Sequence, residues 1–142
     1  DVFLSCLKSD LSQITQSTFL GGIGADHPTA IALDRQDNIL VAGHTDSKDF
    51  PVTGDAYSGN FKGIFDIFVT RLNADLSKVL SSTYIGAESY DYVNAVATDA
   101  DGNVFVAGNT ISKNFPTTKN AYSKTFNGGT SDGIVIRWSL NK

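Results

Sequence analysis

The sequence predicts an all-β fold built from a repeated unit of four antiparallel strands. The chain repeats itself with a period of about 65 residues. Each period contains four short runs rich in β-branched and aromatic residues, bounded by Gly, Asp and Asn. No segment shows a sustained helical period. We therefore expect one segment over 1–142, with repeats at approximately 1–65 and 66–131 and the start of a third at 132–142.

The repeat is visible as matched motifs. The matches are STFLG at 17–21 with STYIG at 82–86, VAG at 41–43 with VAG at 106–108, and FP at 50–51 with FP at 115–116. The pattern continues outward, since Asp1 matches Asp66 at the start of a run, and Asp132 matches both after one inserted residue near Gly129. Such regular self-similarity is typical of stacked repeat architectures.

Each predicted strand ends at a turn signal. Strand pairs are joined at Asp34–Asn38, Asn73–Asp75 and Asp99–Asn103, and Gly21-Gly22 follows the second strand. Asp, Asn and Gly favour such turns because their side chains bond the local backbone or their backbone tolerates a positive φ. The predicted strands are about 1–8, 14–22, 28–34, 38–45, 65–73, 78–86, 93–99, 103–110 and 132–140.

Several predicted strands are apolar on both faces. In 66–72, alternation places Ile67 and Val69 on one face and Phe68 and Leu72 on the other. A strand buried on both faces belongs to a sheet packed between two neighbours. Other runs favour alanine and glycine, which let neighbouring backbones approach closely. Together these features predict four-stranded sheets stacked side by side, as in the blades of a β-propeller.

One motif carries a family resemblance. It consists of YIG at 84–86, AVATD at 95–99, DGNVFVAG at 101–108 and the run from Thr110 through FPTT at 115–118. This combination resembles the SBBP beta-propeller repeat, and the resemblance extends over nearly the whole chain. It implies consecutive propeller blades from a large secreted or surface protein of bacteria or archaea. The family has no shared catalytic residues, so the resemblance assigns none.

By analogy with related propellers, the strands of a blade run outward in the order 93–99, 103–110, the 132–140 type and the 78–86 type. The chain then holds about two blades, too few for a closed ring. We therefore expect it to be part of a larger ring or assembly. The isolated chain is not expected to be a monomer. Ile134, Ile136 and Trp138 should be shielded by another chain or be unusually exposed.

Composition excludes several partners. The net charge is −4, which disfavours nucleic acid. No apolar run reaches the ~20 residues that cross a bilayer, so membrane insertion is not predicted. Two histidines and one cysteine cannot assemble a Cys/His zinc site.

The cofactor prediction is none, with one weak calcium candidate. Asp99, Asp101 and Asn103 have the alternate spacing of oxygen ligands in a calcium loop. The alternative is a hairpin turn in which Asp and Asn bond their own backbone, and no distal Glu follows. Asp1, Asp66 and Asp132 are expected to be structural, each accepting N–H bonds from the preceding loop.

The connections 21–29, 46–64, 87–93 and 111–131 are long and should share one rim, opposite the short turns. Aromatic side chains with adaptable polar groups are typical of recognition surfaces. The aromatic residues that recur in both repeats, Tyr57 and Tyr122 included, are expected to anchor the long loops. The unrepeated His27, Tyr90 and Tyr92, with Asp26 and Asp91, are the candidate binding residues.

The sequence thus predicts a non-catalytic structural or interaction module of an extracellular or cell-surface propeller, and no enzyme. Its partners would be other propeller blades or protein chains. A carbohydrate-binding propeller is the alternative, and a hydrolase or lyase a less favoured one, since an enzyme would need titratable groups converging on the axis.

Overall fold

A computed structural model describes residues 1–139 as nine strands, with no helix among them. The strands are β1 Val2–Leu7, β2 Ile14–Leu20, β3 Asp26–Leu33, β4 Ile39–Thr45, β5 Asp66–Leu72, β6 Val79–Ile85, β7 Asp91–Thr98, β8 Asn103–Thr110 and β9 Asp132–Ser139. Residues 140–142, the end of the predicted third repeat, lie outside the described part of the chain. Within residues 1–139, no helix is long and apolar enough to cross a membrane.

The strands form three antiparallel sheets. An N-terminal ribbon pairs β1 with β2, a central sheet has the order β3-β4-β5-β6, and a C-terminal sheet has the order β7-β8-β9. This is the strand order expected from the sequence. The central sheet is one complete four-stranded blade, and the C-terminal sheet repeats its first three strands.

The first hairpin of each blade is closed by an aspartate that bonds the turn. Asp34 Oδ1 accepts the backbone N–H groups of Gln36 at 2.8 Å and Asn38 at 2.9 Å. Asp37 has a φ of 60°, in the left-handed region, where the second repeat has Gly102 with a φ of 81°. The turn therefore keeps its geometry in both repeats, although only the second uses the residue that adopts this φ most readily.

The core consists of two apolar clusters, one on each face of the central sheet. Phe68 and Leu72 pack in the first cluster, toward the N-terminal ribbon, with Val2 and Leu4. The second cluster packs the opposite face against the C-terminal sheet, and it includes Ile67, Val69, Val104 and Val106. The prediction that β5 is buried on both faces is confirmed.

The long loop 46–64 lies along the outer edge of β6. Thr53 N–H donates to the Ser82 carbonyl at 3.1 Å, and Tyr84 N–H donates to the Ser58 carbonyl at 3.1 Å. Phe50 stacks on Phe68 with 4.5 Å between ring centroids, which fixes the loop to the sheet face. The loop thereby satisfies backbone groups that an exposed edge strand would leave unpaired.

Two expectations about exposed residues were wrong. Tyr57 is 68% exposed and Tyr122 is fully exposed, so neither anchors its loop. In β9, alternation turns Ile134, Ile136 and Trp138 toward the second cluster, where they are partly buried by the central sheet. The exposed apolar side chain of β9 is instead Val135, 78% exposed on the opposite face.

Candidate functional site

Five rings form a continuous cluster on the long-loop rim, where β3 and β7 begin. We call this set the rim cluster; its members are His27, His44, Phe65, Tyr90 and Tyr92. His27 stacks on His44 with centroids 5.1 Å apart, and His44 meets the edge of Tyr92 at 4.7 Å. Tyr92 and Tyr90 lie nearly parallel at 6.0 Å. The rim cluster therefore brings together the three aromatic candidates of the sequence.

The rim cluster joins the central and C-terminal sheets. Phe65 and Tyr90 form a parallel β-bridge, and Asp91 N–H donates to the Phe65 carbonyl at 2.9 Å. Phe65 also stacks on Tyr90 with centroids 6.0 Å apart. Because these contacts cross between sheets, the cluster occupies a composite surface that neither sheet forms alone.

The members of the rim cluster differ in how far they are buried. His27 is exposed, whereas Tyr90 and Tyr92 are half-buried. Burial is the main cause of a raised pKa for the Tyr92 hydroxyl, and the neighbouring Tyr90 adds to it. The cluster thus offers aromatic faces together with the hydroxyl groups of two tyrosines.

The two aspartates proposed for binding are placed beneath the rim rather than on it. Asp26 accepts the Gly22 N–H at 2.9 Å and the hydroxyl of Thr45. Asp91, which is fully buried, accepts the Ala87 N–H at 2.8 Å and the hydroxyl of Thr110. These carboxylates hold the loops that precede β3 and β7, and they are not positioned to contact a ligand directly.

Burial raises the pKa of the Asp91 carboxyl, although its hydrogen bonds from Thr110, Ala87 and Ser112 oppose that shift. The aspartates that begin β5 and β9 have a related structural role. Asp66 accepts N–H groups from Lys62 at 2.7 Å and Gly63 at 3.1 Å, and Asp132 accepts one from Asn127 at 2.6 Å. The predicted structural role of Asp66 and Asp132 agrees with this geometry.

The weak calcium candidate forms a hairpin turn. Asp99 Oδ1 accepts the N–H groups of Asp101 and Asn103, each at 2.9 Å. Its Oδ2 accepts the Asn103 side-chain amide at 2.7 Å. Asn103 therefore turns a donor toward the carboxylate. In the described range 1–139, no group of three or more His, Cys, Asp or Glu side chains is arranged to hold a metal ion.

The matches to known sequences coincide with the two hairpins that carry this rim. A sequence model of the SBBP family, described as a beta-propeller repeat, matches residues 17–51 and 82–116. The chain belongs to the SBBP family. Each matched SBBP segment runs from the end of one outer strand, through the first two strands of the next sheet, into a long loop. No protein with curated annotation matches the chain.

Sequence reasoning missed two members of the rim cluster, His44 and Phe65, of which only His44 lies within a matched SBBP segment. His44 is the cross-strand partner of His27, but this pairing depends on a register shift between Pro28 and Ala30. Without that shift, regular pairing counted from the Asp34 turn would place Thr45 opposite His27. Phe65 falls at the boundary between a predicted loop and strand. A register derived from the turn would have found His44 only if the bulge had been recognised.

Proposed function

We propose that this chain is a non-catalytic structural and interaction module of an extracellular or cell-surface β-propeller, and that its rim cluster contacts the partner. The observation that carries the proposal is the cluster itself. Five rings from two sheets present aromatic faces and hydroxyl groups on the rim that carries the long loops. Rigid aromatic side chains of this kind supply contact area at little entropic cost.

The exterior location and the partner class rest on composition and family. One cysteine in 142 residues is compatible with an oxidising compartment, and the net charge of −4 disfavours nucleic acid as a partner. Other propeller blades or protein chains remain the proposed partners.

To test the rim cluster as a binding site, a displayed peptide library is selected for binding to the chain, and a glycan array is probed with the labelled chain. We expect hits that His27→Ala/Tyr90→Ala weakens about tenfold or more, since buried aromatic contacts dominate binding energy. Tyr92 is left intact because its ring supports His44. The control is Asp75→Ala, which alters a short turn on the opposite rim.

Thermal denaturation of both variants separates lost contacts from lost folding. Equal weakening by the two variants, at equal stability, would contradict a binding site on the long-loop rim.

A carbohydrate ligand is the alternative, and the exposed rings of Tyr57 and Tyr122 on the long loops favour it. A saturable glycan hit lost in Tyr57→Ala would support that alternative. A hydrolase or lyase activity, the less favoured hypothesis, would be supported by turnover that depends on the titratable groups near β3 and β7.

A further inference from the structure

The two histidines of the chain meet in the hairpin of β3 and β4. The sequence contains His27 and His44 and no other histidine. The register makes them direct cross-strand partners, and their ring centroids lie 5.1 Å apart. This pairing depends on the bulge between Pro28 and Ala30. The fold therefore brings together two imidazoles that are distant in the chain.

The second repeat builds the same hairpin without histidine. Tyr92 and Asn109 occupy the corresponding cross-strand positions of β7 and β8, and the register shift recurs between Val93 and Ala95. The bulged pairing thus does not require imidazole side chains. The histidine pair adds a chemistry to the first hairpin that the backbone geometry does not need.

The nitrogens of both imidazoles are unused by the protein. Within residues 1–139, neither His27 nor His44 makes a side-chain hydrogen bond. Nδ1 of His44 is buried, but the residue is only partly buried, so Nε2 is the nitrogen that a ligand can reach. His27 is exposed. In its neutral form each ring therefore keeps a lone pair free, and this is the form in which histidine binds metal ions.

The distance between the two rings suits a shared metal ion. A divalent ion bound to an imidazole nitrogen lies roughly 3 Å from the ring centroid, so two rings on one tetrahedral ion have centroids about 5 Å apart. The observed separation agrees with this value. His44 is held in place by edge contacts with Phe65 and Tyr92. The exposed His27 ring is free to rotate about its Cβ–Cγ bond and aim a nitrogen at the same ion.

We propose that His27 and His44 together bind a divalent transition-metal ion of the Zn²⁺ class, with water in the remaining coordination positions. Imidazole nitrogen is a preferred ligand of these ions, whereas Ca²⁺ prefers oxygen. The site is weaker than a structural zinc site, because it has two protein ligands instead of four and no acceptor orients Nδ1 of His44. It goes beyond the interaction proposed for the rim cluster and does not depend on it, since it needs no partner.

Isothermal titration of the full chain with Zn²⁺ at pH 7.5 tests the site. We expect saturable binding of one ion per chain and none of Ca²⁺ at this site. His27→Tyr and His44→Asn introduce the residues of the second repeat, and each should weaken Zn²⁺ binding about tenfold or more. The control is Asp37→Asn, which removes an exposed carboxylate from the turn at the other end of the hairpin. It should change the affinity by at most about twofold in ~0.15 M salt.

Nuclear magnetic resonance of the ¹⁵N-labelled wild type gives a second reading that needs no substitution. The chain has two imidazoles, so their ring nitrogens are resolved without ambiguity. Both sets of signals should shift with the same Zn²⁺ dependence, and this spectrum decides if a variant fails to fold. Absence of saturable Zn²⁺ binding overturns the proposal. Binding that survives either histidine substitution in a folded variant, or that shifts one imidazole alone, also overturns it.

Discussion

At the scale of single residues, His44 has an environment that disfavours its charged form. Its Nδ1 is buried and makes no hydrogen bond within the described residues 1–139. Burial is the larger cause of a lowered pKa for this imidazole, and the neighbouring His27 lowers it further. A protonated ring would need partners for two N–H groups.

We predict that protonation of His44 weakens the fold in mildly acidic solution. The unfolded chain has a histidine pKa near ~6.5, above that of folded His44, so the unfolded state binds the proton more tightly. The stabilisation is present above pH ~6.5 and is lost as the pH falls through the folded pKa. Urea unfolding of the wild type and of His44→Phe, at pH 7.5 and at about pH 5, measures the effect.

His44→Phe keeps a ring in the cluster and removes the titrating group, so it should lose less stability than the wild type on acidification. Carboxylates titrate in both proteins and cancel in the comparison. If both proteins lose the same free energy of unfolding over this interval, His44 is not the responsible group.

The sequence identified part of the rim and could not identify the rest. Tyr90, Tyr92 and His27 stood out because they do not recur in the repeat, and they do meet in space. In the sequence, Asp26 and Asp91 looked like further binding residues, because the exposure of an aspartate beside a loop cannot be read from its position in the chain. Only the folded hairpins show that their oxygens are occupied by loop N–H groups and threonine hydroxyls.

At the scale of elements, Gly43 permits the bulged pairing of β3 with β4. A Cβ built on Gly43 would lie 2.1 Å from the His27 carbonyl oxygen and 2.7 Å from the Phe68 ring. Gly108 has the same relation to the Tyr92 carbonyl. Both glycines sit beside the register shift of their hairpin, which places His27 and Tyr92 on the rim.

We predict that Gly43→Ala lowers the free energy of unfolding by about 3 kcal/mol, because backbone and ring atoms must both move. Gly59→Ala is the control, since nothing lies within 4 Å of its Cβ position. The control should change stability by at most about 0.5 kcal/mol. Urea denaturation measures both, and similar values for the two would show that the close approach is not needed.

Strand positions were predictable because turn chemistry marks their ends. Asp34, Asn73 and Asp99 each precede a short turn, so all nine strands start and end close to the expected positions. The exposure of Tyr57 and Tyr122 was not predictable from recurrence. A repeated aromatic residue can be retained for packing or for a repeated surface, and only the path of the long loop distinguishes these cases.

At the scale of the whole molecule, the N-terminal ribbon presents a large apolar face. Phe3 and Phe19 are cross-strand partners, 73% and 78% exposed, and the exposed Leu7 and Ile14 pair lies farther along the ribbon. We predict that the isolated chain self-associates through this face, because clustered exposed apolar side chains drive association. Phe3→Ser/Phe19→Ser should weaken association about tenfold or more in sedimentation equilibrium.

Tyr122→Ser is the matched control, since it removes an exposed aromatic residue from a loop outside the ribbon. It should leave association nearly unchanged. A wild-type chain that sediments as a compact monomer throughout the concentration series would contradict the prediction.

The position of the long loop along β6 has a consequence for how such proteins grow during evolution. The bonds that close the central blade come from its own residues: Asp66 holds the end of its loop, and Thr53 and Ser58 hold the loop to β6. A tandem duplication of one period therefore copies a blade together with its own edge protection. Only the packing between the faces of the new blade and those of its neighbouring blades must form anew. Gene duplication can thus change the number of blades while leaving the internal bonding of each blade unchanged.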